Sequence, residues 1–328
     1  MRDEFSLIRS ISPANVHQPS LHVGIGDDAA IYEGAPEMEE VLCVDTMVEE
    51  IHFRRDTLTP FQIGYKALAI NISDLAAMGA TPKFYLVSIA VPPQWSDREI
   101  KTLYRGMAEC AAPYRMDLIG GDTVSTNEKL VVTVTAVGHV PKGTRLLRQR
   151  ARPGDVVFLT GTVGQSAAGL ELLNKKGLHG PFTEDEELLV LAHQQPQPQV
   201  EAGHLFARSG YRIALNDVSD GVASEANELA EASKVKLVLK ANTIPLHPTM
   251  ETFSKEQQLE WALFGGEDFQ LIGTAAVDAF ASLQQLAIQR GISLTEIGYV
   301  EAGSPVVELE EGTARSVLKK SGYNHFAK

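Results

Sequence analysis

Seven aspartates lie in short stretches rich in glycine and other small residues, a setting that suits the binding of divalent cations. They are Asp27, Asp28, Asp45, Asp74, Asp122, Asp217 and Asp220. Like charges a few ångströms apart repel by about 1 kcal/mol in water and by more in a cleft. A site that gathers several carboxylates therefore keeps protons or holds a metal ion. Mg²⁺ prefers oxygen ligands and often shares them with a phosphate chain, so the pattern predicts a metal-dependent phosphoryl-transfer enzyme.

The same residue types also occur in ordinary turns, because an aspartate beside Gly or Ser bonds its own backbone. Each stretch taken alone is more often structural. Their form favours binding: Asp27 and Asp28 are adjacent, Asp217 and Asp220 are three residues apart, and several follow an apolar, strand-like run. Since α/β folds place ligands at the ends of strands, we expect these aspartates in turns at strand ends.

Asp74 has a different setting, within the small and apolar residues 71–79, which predict a buried helix. A carboxylate inside such a helix costs several kcal/mol unless it is paired or bound to metal. Asp74 is therefore a better ligand candidate than Asp97 or Asp185, which have charged neighbours and are expected to be solvated.

The sequence has no Gly-x-x-x-x-Gly-Lys-Ser/Thr motif for phosphate binding. The nearest stretch, 161–166, lacks the lysine, and we interpret it as a tight strand-to-helix connection that leaves anion binding by its backbone open. Any bound ATP must then be held by aspartates and metal.

The roles of three further residues stay open. Arg148 either pairs with a phosphate or belongs to a solvated basic linker. Spacing alone does not decide whether Glu267 and Asp268 form a turn or contact a cationic substrate.

Composition excludes several classes of protein. The 328 residues are 44% hydrophobic and 22% charged, as in ordinary globular proteins. A net charge of −13 argues against nucleic acid or an anionic membrane surface as a partner. Two cysteines exclude a disulfide framework. Acidic residues near Met1 and the lack of any apolar run of about 18 residues predict a cytoplasmic location.

Apolar periodicity predicts a mixed order of strands and helices in both halves of the chain. In the first half we expect strands at 41–44, 84–91 and 131–140, and helices near 60–79 and 96–112. In the second half we expect strands near 156–160, 212–216, 235–240, 269–274, 295–300 and 305–309, and helices near 165–175, 184–193, 199–208, 222–233 and 277–290. Proline and glycine flank the basic stretch near 145–152, so we predict domains at 1–145 and 146–328.

Taken together, seven stretches give the chain a resemblance to the thiamine-monophosphate kinases. These are residues 26–30, 44–46, 71–79, 120–123, 217–221, 265–268 and 322–326. Their order and spacing cover nearly the whole chain. That family belongs to the superfamily of aminoimidazole ribonucleotide synthetase, selenophosphate synthetase and a hydrogenase maturation factor.

The resemblance implies an α/β (α+β) fold of two mixed α/β domains. The N-terminal domain would bind ATP and Mg²⁺ and pair its sheet across the interface of a homodimer, and the C-terminal domain would complete the active site. The implied reaction is direct in-line transfer of the ATP γ-phosphoryl group to thiamine monophosphate, assisted by several Mg²⁺ ions.

Site residues carried over from the resemblance fall into three groups. The metal ligands would be Asp27, Asp45, Thr46, Asp74, Asp122, Asp217 and Asp220, of which Asp27, Asp122 and Asp220 would be the most critical. Nucleotide would contact Asp28, Tyr104, Gly121, Asp122, Arg148 and Ser219. Thiamine monophosphate would contact His52, Glu267 and Tyr323. The chain departs from the family pattern at the acidic Glu49 and Glu50 beside His52, and at Asn216.

Two alternatives remain open at this stage. One is a sister ATP-dependent enzyme of the same superfamily, of the aminoimidazole ribonucleotide synthetase kind, although the terminal stretch 322–326 argues against it. The other is a catalytically silent, acidic module that binds divalent metal. ATP consumption that depends on one added acceptor would separate them.

Overall fold

A computed structural model describes residues 4–13, 15–25 and 29–320 of the chain. The described residues form two compact units. The first contains the residues up to 75 together with 80–143 and 177–179, and the second contains 76–79, 144–176 and the residues from 180 onward. Within these residues, no helix is both long enough and apolar enough to cross a membrane.

The first unit is built on a four-stranded sheet with the strand order β3-β6-β4-β5. Its elements are β1 (Leu21–Val23), β2 (Ile31–Tyr32), β3 (Met38–Val48), β4 (Thr81–Val91), β5 (Asp117–Ser125) and β6 (Val131–Pro141), with helices α1 (Glu4–Ile11), α2 (Pro60–Ala77) and α3 (Asp97–Ala111). β6 pairs antiparallel with both β3 and β4, and β4 pairs parallel with β5. β3 and β5 are therefore the edges of this sheet.

Helices α2 and α3 approach each other closely because two glycines face the opposite backbone. A Cβ on Gly64 would lie 1.8 Å from the carbonyl oxygen of Leu103, and one on Gly106 would lie 1.9 Å from that of Phe61. α3 begins at a capping box, in which Ser96 and Glu99 bond each other's backbone N–H groups. This packing fixes α2, the helix that carries Asp74.

The second unit is built on a seven-stranded sheet with the order β13-β12-β9-β11-β7-β10-β8. Its strands are β7 (Asp155–Thr160), β8 (Ile213–Asp217), β9 (Lys236–Lys240), β10 (Leu271–Ala276), β11 (Leu294–Glu301), β12 (Val306–Glu311) and β13 (Ala314–Leu318). Its helices are α4 (Gln165–Lys176), α5 (Glu184–Gln194), α6 (Val200–Arg208), α7 (Val222–Ser233), α8 (Lys255–Phe264) and α9 (Val277–Ile288). Neighbouring strands are antiparallel except β9 and β12.

Alternate side chains of β7 enter two separate cores, one on each face of this sheet. Val157 and Leu159 join the core that contains α7 and α8, whereas Val156 and Phe158 join the core that contains α6 and α9. A strand covered on both faces needs apolar residues at every position, which explains the uninterrupted run 156–159. The two cores therefore hold the sheet, and with it the ends of its strands, in place.

The predicted strands and helices are confirmed, with ends that differ by a few residues. Sequence reasoning missed α1, β1, β2, β5, α8 and β13. The expected turns at Asp45, Thr46 and Asp122 are wrong: the first two residues lie inside β3 and the third inside β5. The physical reason is tertiary. β5 contains Gly120, Gly121 and Asp122, which are poor strand formers, and its pairing with β4 keeps them extended.

Candidate active site

Asp45 and Asp74 meet on the face of the first sheet that α2 covers. Cys43, two residues before Asp45 on β3, donates its thiol to the carbonyl oxygen of Asn71 on α2 at 3.3 Å, so this face of β3 is directed at α2. Burial raises the pKa of the Asp45 carboxyl, while a side-chain hydrogen bond with Asp74 and the proximity of His52 act in the opposite direction. A carboxyl pair of this kind is stabilised by a shared proton or by a cation.

Thr46 lies on the opposite face of the sheet, where its hydroxyl is 2.9 Å from that of Thr133. The strand register places Thr46, Thr133, Ser88 and Asp122 in one row across β3, β6, β4 and β5. Strands are about 4.8 Å apart, so Thr46 and Asp122 are separated by roughly 14 Å. Within one chain, the structure therefore brings Asp45 and Asp74 together and leaves Thr46 and Asp122 apart from them.

Gly121 is required where β5 runs beside β4. A Cβ at this position would lie 2.0 Å from the carbonyl oxygen of Val87, closer than any real contact. Tyr104 is buried on α3, and burial raises the pKa of its hydroxyl. Both residues thus have roles in packing that the sequence did not separate from nucleotide contact.

His52 follows β3 in a short loop whose acidic residues have different environments. The Val48 N–H donates to His52 Nδ1 at 3.0 Å, so the proton of the neutral ring is on Nε2. Glu49 is buried and accepts from the Trp95 indole N–H at 3.1 Å and from the Leu130 N–H at 2.9 Å. Glu49 therefore serves the fold, whereas the exposed Glu50 lies beside Lys129.

In the second unit, the loop 217–221 follows β8 and leads into α7. Asp217 is the last residue of β8, and Gly221, with φ of 97°, begins the turn into the helix. Glu225, on the first turn of α7, accepts from the Ser219 hydroxyl at 3.2 Å and from the Asp220 N–H at 3.1 Å. Burial raises the pKa of Glu225 to about 8, with the charge of Asp217 as a further cause.

Sequence reasoning missed Glu225, although its place four residues after Gly221 was a usable signal. A carboxylate one helical turn beyond a glycine-initiated helix can reach back to the loop before it. Here the carboxylate sets the positions of Ser219 and Asp220 together.

Arg148 is held by the same part of the second unit. Its Nε donates to the Asn216 side-chain oxygen at 2.8 Å, and another guanidinium nitrogen lies 2.8 Å from a carboxylate oxygen of Glu228. The Asn216 amide in turn donates to Glu225 and to Glu228. The unusual Asn216 thus links Arg148 to both acids, and Arg148 remains 51% exposed for a further contact.

Glu267 lies beside the loop 217–221, because two backbone hydrogen bonds join that loop to the segment 265–269. The Glu267 N–H donates to the Ser219 carbonyl oxygen at 2.6 Å, and the Phe269 N–H donates to that of Val218 at 2.9 Å. Gly266 has φ of 68°, and a Cβ there would lie 2.6 Å from the Ser219 oxygen. The close approach therefore explains the glycine before Glu267.

Asp268 occupies the start of α4, where an anion would otherwise bind. Its carboxylate accepts from the N–H groups of Gly164 at 2.7 Å and Ser166 at 3.2 Å. Burial raises the pKa of Asp268 to about 7, while the backbone hydrogen bonds oppose this shift. The interpretation of 161–166 as a tight strand-to-helix connection is confirmed, since β7 ends at Thr160 and α4 begins at Gln165.

Asp27, Asp28 and Tyr323 lie outside the described residues. Among the residues that are described, no group of three or more His, Cys, Asp or Glu side chains could hold a metal ion. The described acids instead form a pair in the first unit, Asp45 with Asp74, and a group around Glu225 in the second.

Comparison with known proteins identifies the family. The N-terminal domain model of the AIR synthase related proteins matches residues 26–140, and the C-terminal domain model matches residues 152–310. The chain is also 49% identical over 325 residues to the thiamine-monophosphate kinase of Bacillus subtilis, covering 99% of each chain. This chain belongs to the thiamine-monophosphate kinase family. The predicted fold of two mixed α/β domains is thereby confirmed.

Solved structures of the thiamine-monophosphate kinase family share this fold. The enzyme from Stenotrophomonas maltophilia K279a has a TM-score of 0.85 at 33% identity and covers 95% of this chain and 98% of its own. AaThiL complexed with AMPPCP and TMP has a TM-score of 0.77 at 31% identity and covers 92% of each chain. The similarity therefore extends over both units.

Proposed function

We propose that this protein transfers the γ-phosphoryl group of ATP to thiamine monophosphate, giving thiamine diphosphate and ADP. The observation that carries the proposal is full-length similarity to a thiamine-monophosphate kinase at 49% identity. A second support is the shared fold with AaThiL, which was solved in complex with AMPPCP and TMP.

The chemistry of this reaction fits an acidic site without a general base. A phosphate monoester is already ionised near neutral pH, so its oxygen needs no proton removed before attack. The difficulty is to hold two anions in line against their mutual repulsion. Binding and orientation are therefore the main tasks of this chain's residues.

The partly buried Asp45 and Asp74 and the buried Asp217 fit the binding of Mg²⁺. Burial raises the pKa of Asp45 beside Asp74, and that of Glu225 beside Asp217, which supports the binding of positive charge at both places. We propose that Asp45 and Asp74 hold metal in the first domain and Asp217 and Asp220 in the second, with Asp27 and Asp122 completing the set. Thr46 and Asp122 share the sheet face opposite Asp45, and we propose that both contact metal from that face. Bound Mg²⁺ would offset the charge of the two phosphate groups during in-line transfer.

For the nucleotide we propose contacts from Asp28, Tyr104, Gly121, Arg148 and Ser219. Arg148 suits a phosphate because Asn216 and Glu228 already orient its guanidinium group. For thiamine monophosphate we propose His52, whose Nε2–H can donate to the phosphate, and Glu267 and Tyr323 for the cationic ring system.

We further propose a homodimer that pairs the N-terminal domains, 1–145, through their sheets. The edge strand β3 supports this, since Leu42 and Val44 on its open face are 63% and 59% exposed. β3 is also an edge of its sheet, and an unpaired strand edge invites pairing with another strand. Light scattering should give about twice the chain mass of 35.6 kDa. A single-chain mass with full activity would overturn the dimer.

The proposed reaction is tested with purified protein, MgATP and thiamine monophosphate. We expect thiamine diphosphate and ADP in equal amounts. Little product is expected from unphosphorylated thiamine, which lacks the phosphate oxygen that attacks ATP. Equal turnover of thiamine would contradict direct transfer between phosphate groups. ATP hydrolysis without any acceptor would contradict the kinase assignment.

A further inference from the structure

A buried histidine of the second unit contacts both Glu267 and α4. His193 on α5 is 2% exposed, and its Nδ1 lies 3.1 Å from the Ser166 hydroxyl and 3.4 Å from a Glu267 carboxylate oxygen. Ser166 and His193 are both buried, whereas the Glu267 side chain is 34% exposed. The contacts therefore run from the core to a carboxylate at the surface.

The arrangement differs from a Ser-His-acid relay. In such a relay the hydroxyl and the acid meet opposite nitrogens of the ring. Here both meet Nδ1, so the ring cannot pass a proton from Ser166 to Glu267. An ionised carboxylate only accepts hydrogen bonds, so Nδ1 carries a proton when it faces Glu267, and the Ser166 hydroxyl oxygen then accepts from the same N–H. The geometry thus suits holding the carboxylate in place.

The backbone of Glu267 is fixed by the neighbouring loop, but this does not set the direction of its side chain. The contact with His193 supplies that direction. The φ of Glu267, 58°, is in the left-handed region, and its N–H bonds the Ser219 carbonyl oxygen. These features fix the loop, while the direction of the side chain depends on what its carboxylate meets. The adjacent Asp268 bonds the Ser166 N–H, so both ends of the contact chain are anchored in the same loop.

We propose that His193 is a positioning residue for thiamine monophosphate, which directs the Glu267 carboxylate toward the cationic part of the substrate and is itself oriented by the Ser166 hydroxyl. This inference rests on the proposed function and extends it to two buried residues that do not touch the substrate. Pre-orienting one carboxylate reduces the entropy lost when the substrate binds. The effect is expected on the affinity for thiamine monophosphate rather than on the nucleotide.

The test compares His193→Leu with His193→Asn. The two replacements are similar in size, but Asn keeps an N–H near the position of Nδ1, so they separate the polar contact from the lost volume. We expect His193→Leu to raise the KM for thiamine monophosphate about tenfold, with kcat and the KM for ATP within about threefold of wild type. His193→Asn should restore most of the loss. Equal KM values for the two variants would overturn the proposal.

A double-mutant cycle with Glu267→Gln adds an independent readout. If His193 acts through Glu267, His193→Leu should raise the KM for thiamine monophosphate by less than about twofold once Glu267 is Gln. A tenfold rise in the KM for thiamine monophosphate on top of the Glu267→Gln effect would overturn the proposal.

If His193→Leu fails to fold, Ser166→Ala is the deciding variant. Loss of the hydroxyl should raise the KM for thiamine monophosphate without changing the KM for ATP. A wild-type protein without kinase activity would overturn the proposed function itself. If the wild type is active and the variants leave the KM for thiamine monophosphate unchanged, only the role of His193 is overturned.

Discussion

The N–H of Glu267 donates to the carbonyl oxygen of Ser219 at 2.6 Å, and this bond joins two loops that are far apart in the sequence. One loop carries Asp217 and Asp220, and the other carries Glu267. Each approaches the other through a glycine with positive φ, Gly221 and Gly266. The second domain therefore presents its proposed metal ligands and its proposed substrate carboxylate as one unit.

Replacing Asp74 or Asp220 by Asn is expected to keep the fold and reduce kcat/KM for thiamine monophosphate by about 10² or more, roughly 3 kcal/mol of transition-state stabilisation. The reason is the loss of a proposed metal ligand from a site that gathers carboxylates. Steady-state kinetics at saturating Mg²⁺ checks this. Asp97→Asn and Asp185→Asn, at exposed positions, are the matched controls. Equal losses in both sets would contradict the assignment.

Most of the helices and strands could be predicted from the sequence, whereas the contacts between them could not. Continuous apolar runs such as 156–159 gave strands because a strand covered on both faces must be apolar. β5 was not predicted because Gly120, Gly121 and Asp122 have low strand propensity, and only pairing with β4 keeps them extended. His193 carried no local signal, since Ser166 and Glu267 come from other parts of the chain. Glu225 was overlooked although its partners Ser219 and Asp220 lie in the loop just before its helix.

Glu225→Gln should weaken the proposed nucleotide and metal contacts of the loop 217–221. The Ser219 hydroxyl and the Asp220 N–H donate to one oxygen of Glu225, and the Asn216 amide donates to the other. In Gln one of these two atoms is an NH₂ group that cannot accept, so one side of this arrangement loses its acceptor. We expect kcat/KM for MgATP to fall about tenfold. Glu231→Gln, on the exposed side of the same helix, is the control. Unchanged kinetics for Glu225→Gln would show that the loop holds its conformation without this carboxylate.

Gly121→Ala should destabilise the first domain by about 3 kcal/mol, because the new Cβ would overlap the backbone of β4. The Cβ would lie 2.0 Å from the Val87 carbonyl oxygen. Gly143→Ala is the matched control: its φ is also positive, at 82°, but no atom lies within 4 Å of the Cβ. The control should cost about 1 kcal/mol, the backbone strain alone. Urea unfolding of both variants measures the difference, and equal costs would contradict the proposed overlap.

The buried Asp268 should make the stability of the second domain depend on pH. Burial raises the pKa of Asp268 from 3.8 to about 7 in the folded protein. Between about pH 4 and about pH 7 the folded state therefore keeps a proton that the unfolded state releases. The contribution of this group to the free energy of unfolding must then fall as pH rises through that window, by up to about 1.4 kcal/mol per pH unit, and stay constant above it.

Asp268→Asn tests this dependence because the amide has a similar shape and does not titrate. The difference in unfolding free energy between wild type and Asp268→Asn should shift in favour of the variant as pH rises from about 5 to about 7, and then level off. Urea unfolding at several pH values measures it, with Asp185→Asn on the exposed face of α5 as the control for loss of one carboxyl group. Parallel curves for wild type and Asp268→Asn would mean that the N–H groups of Gly164 and Ser166 keep Asp268 ionised throughout. The start of α4 would then bind a permanent negative charge, as helix N-termini commonly do.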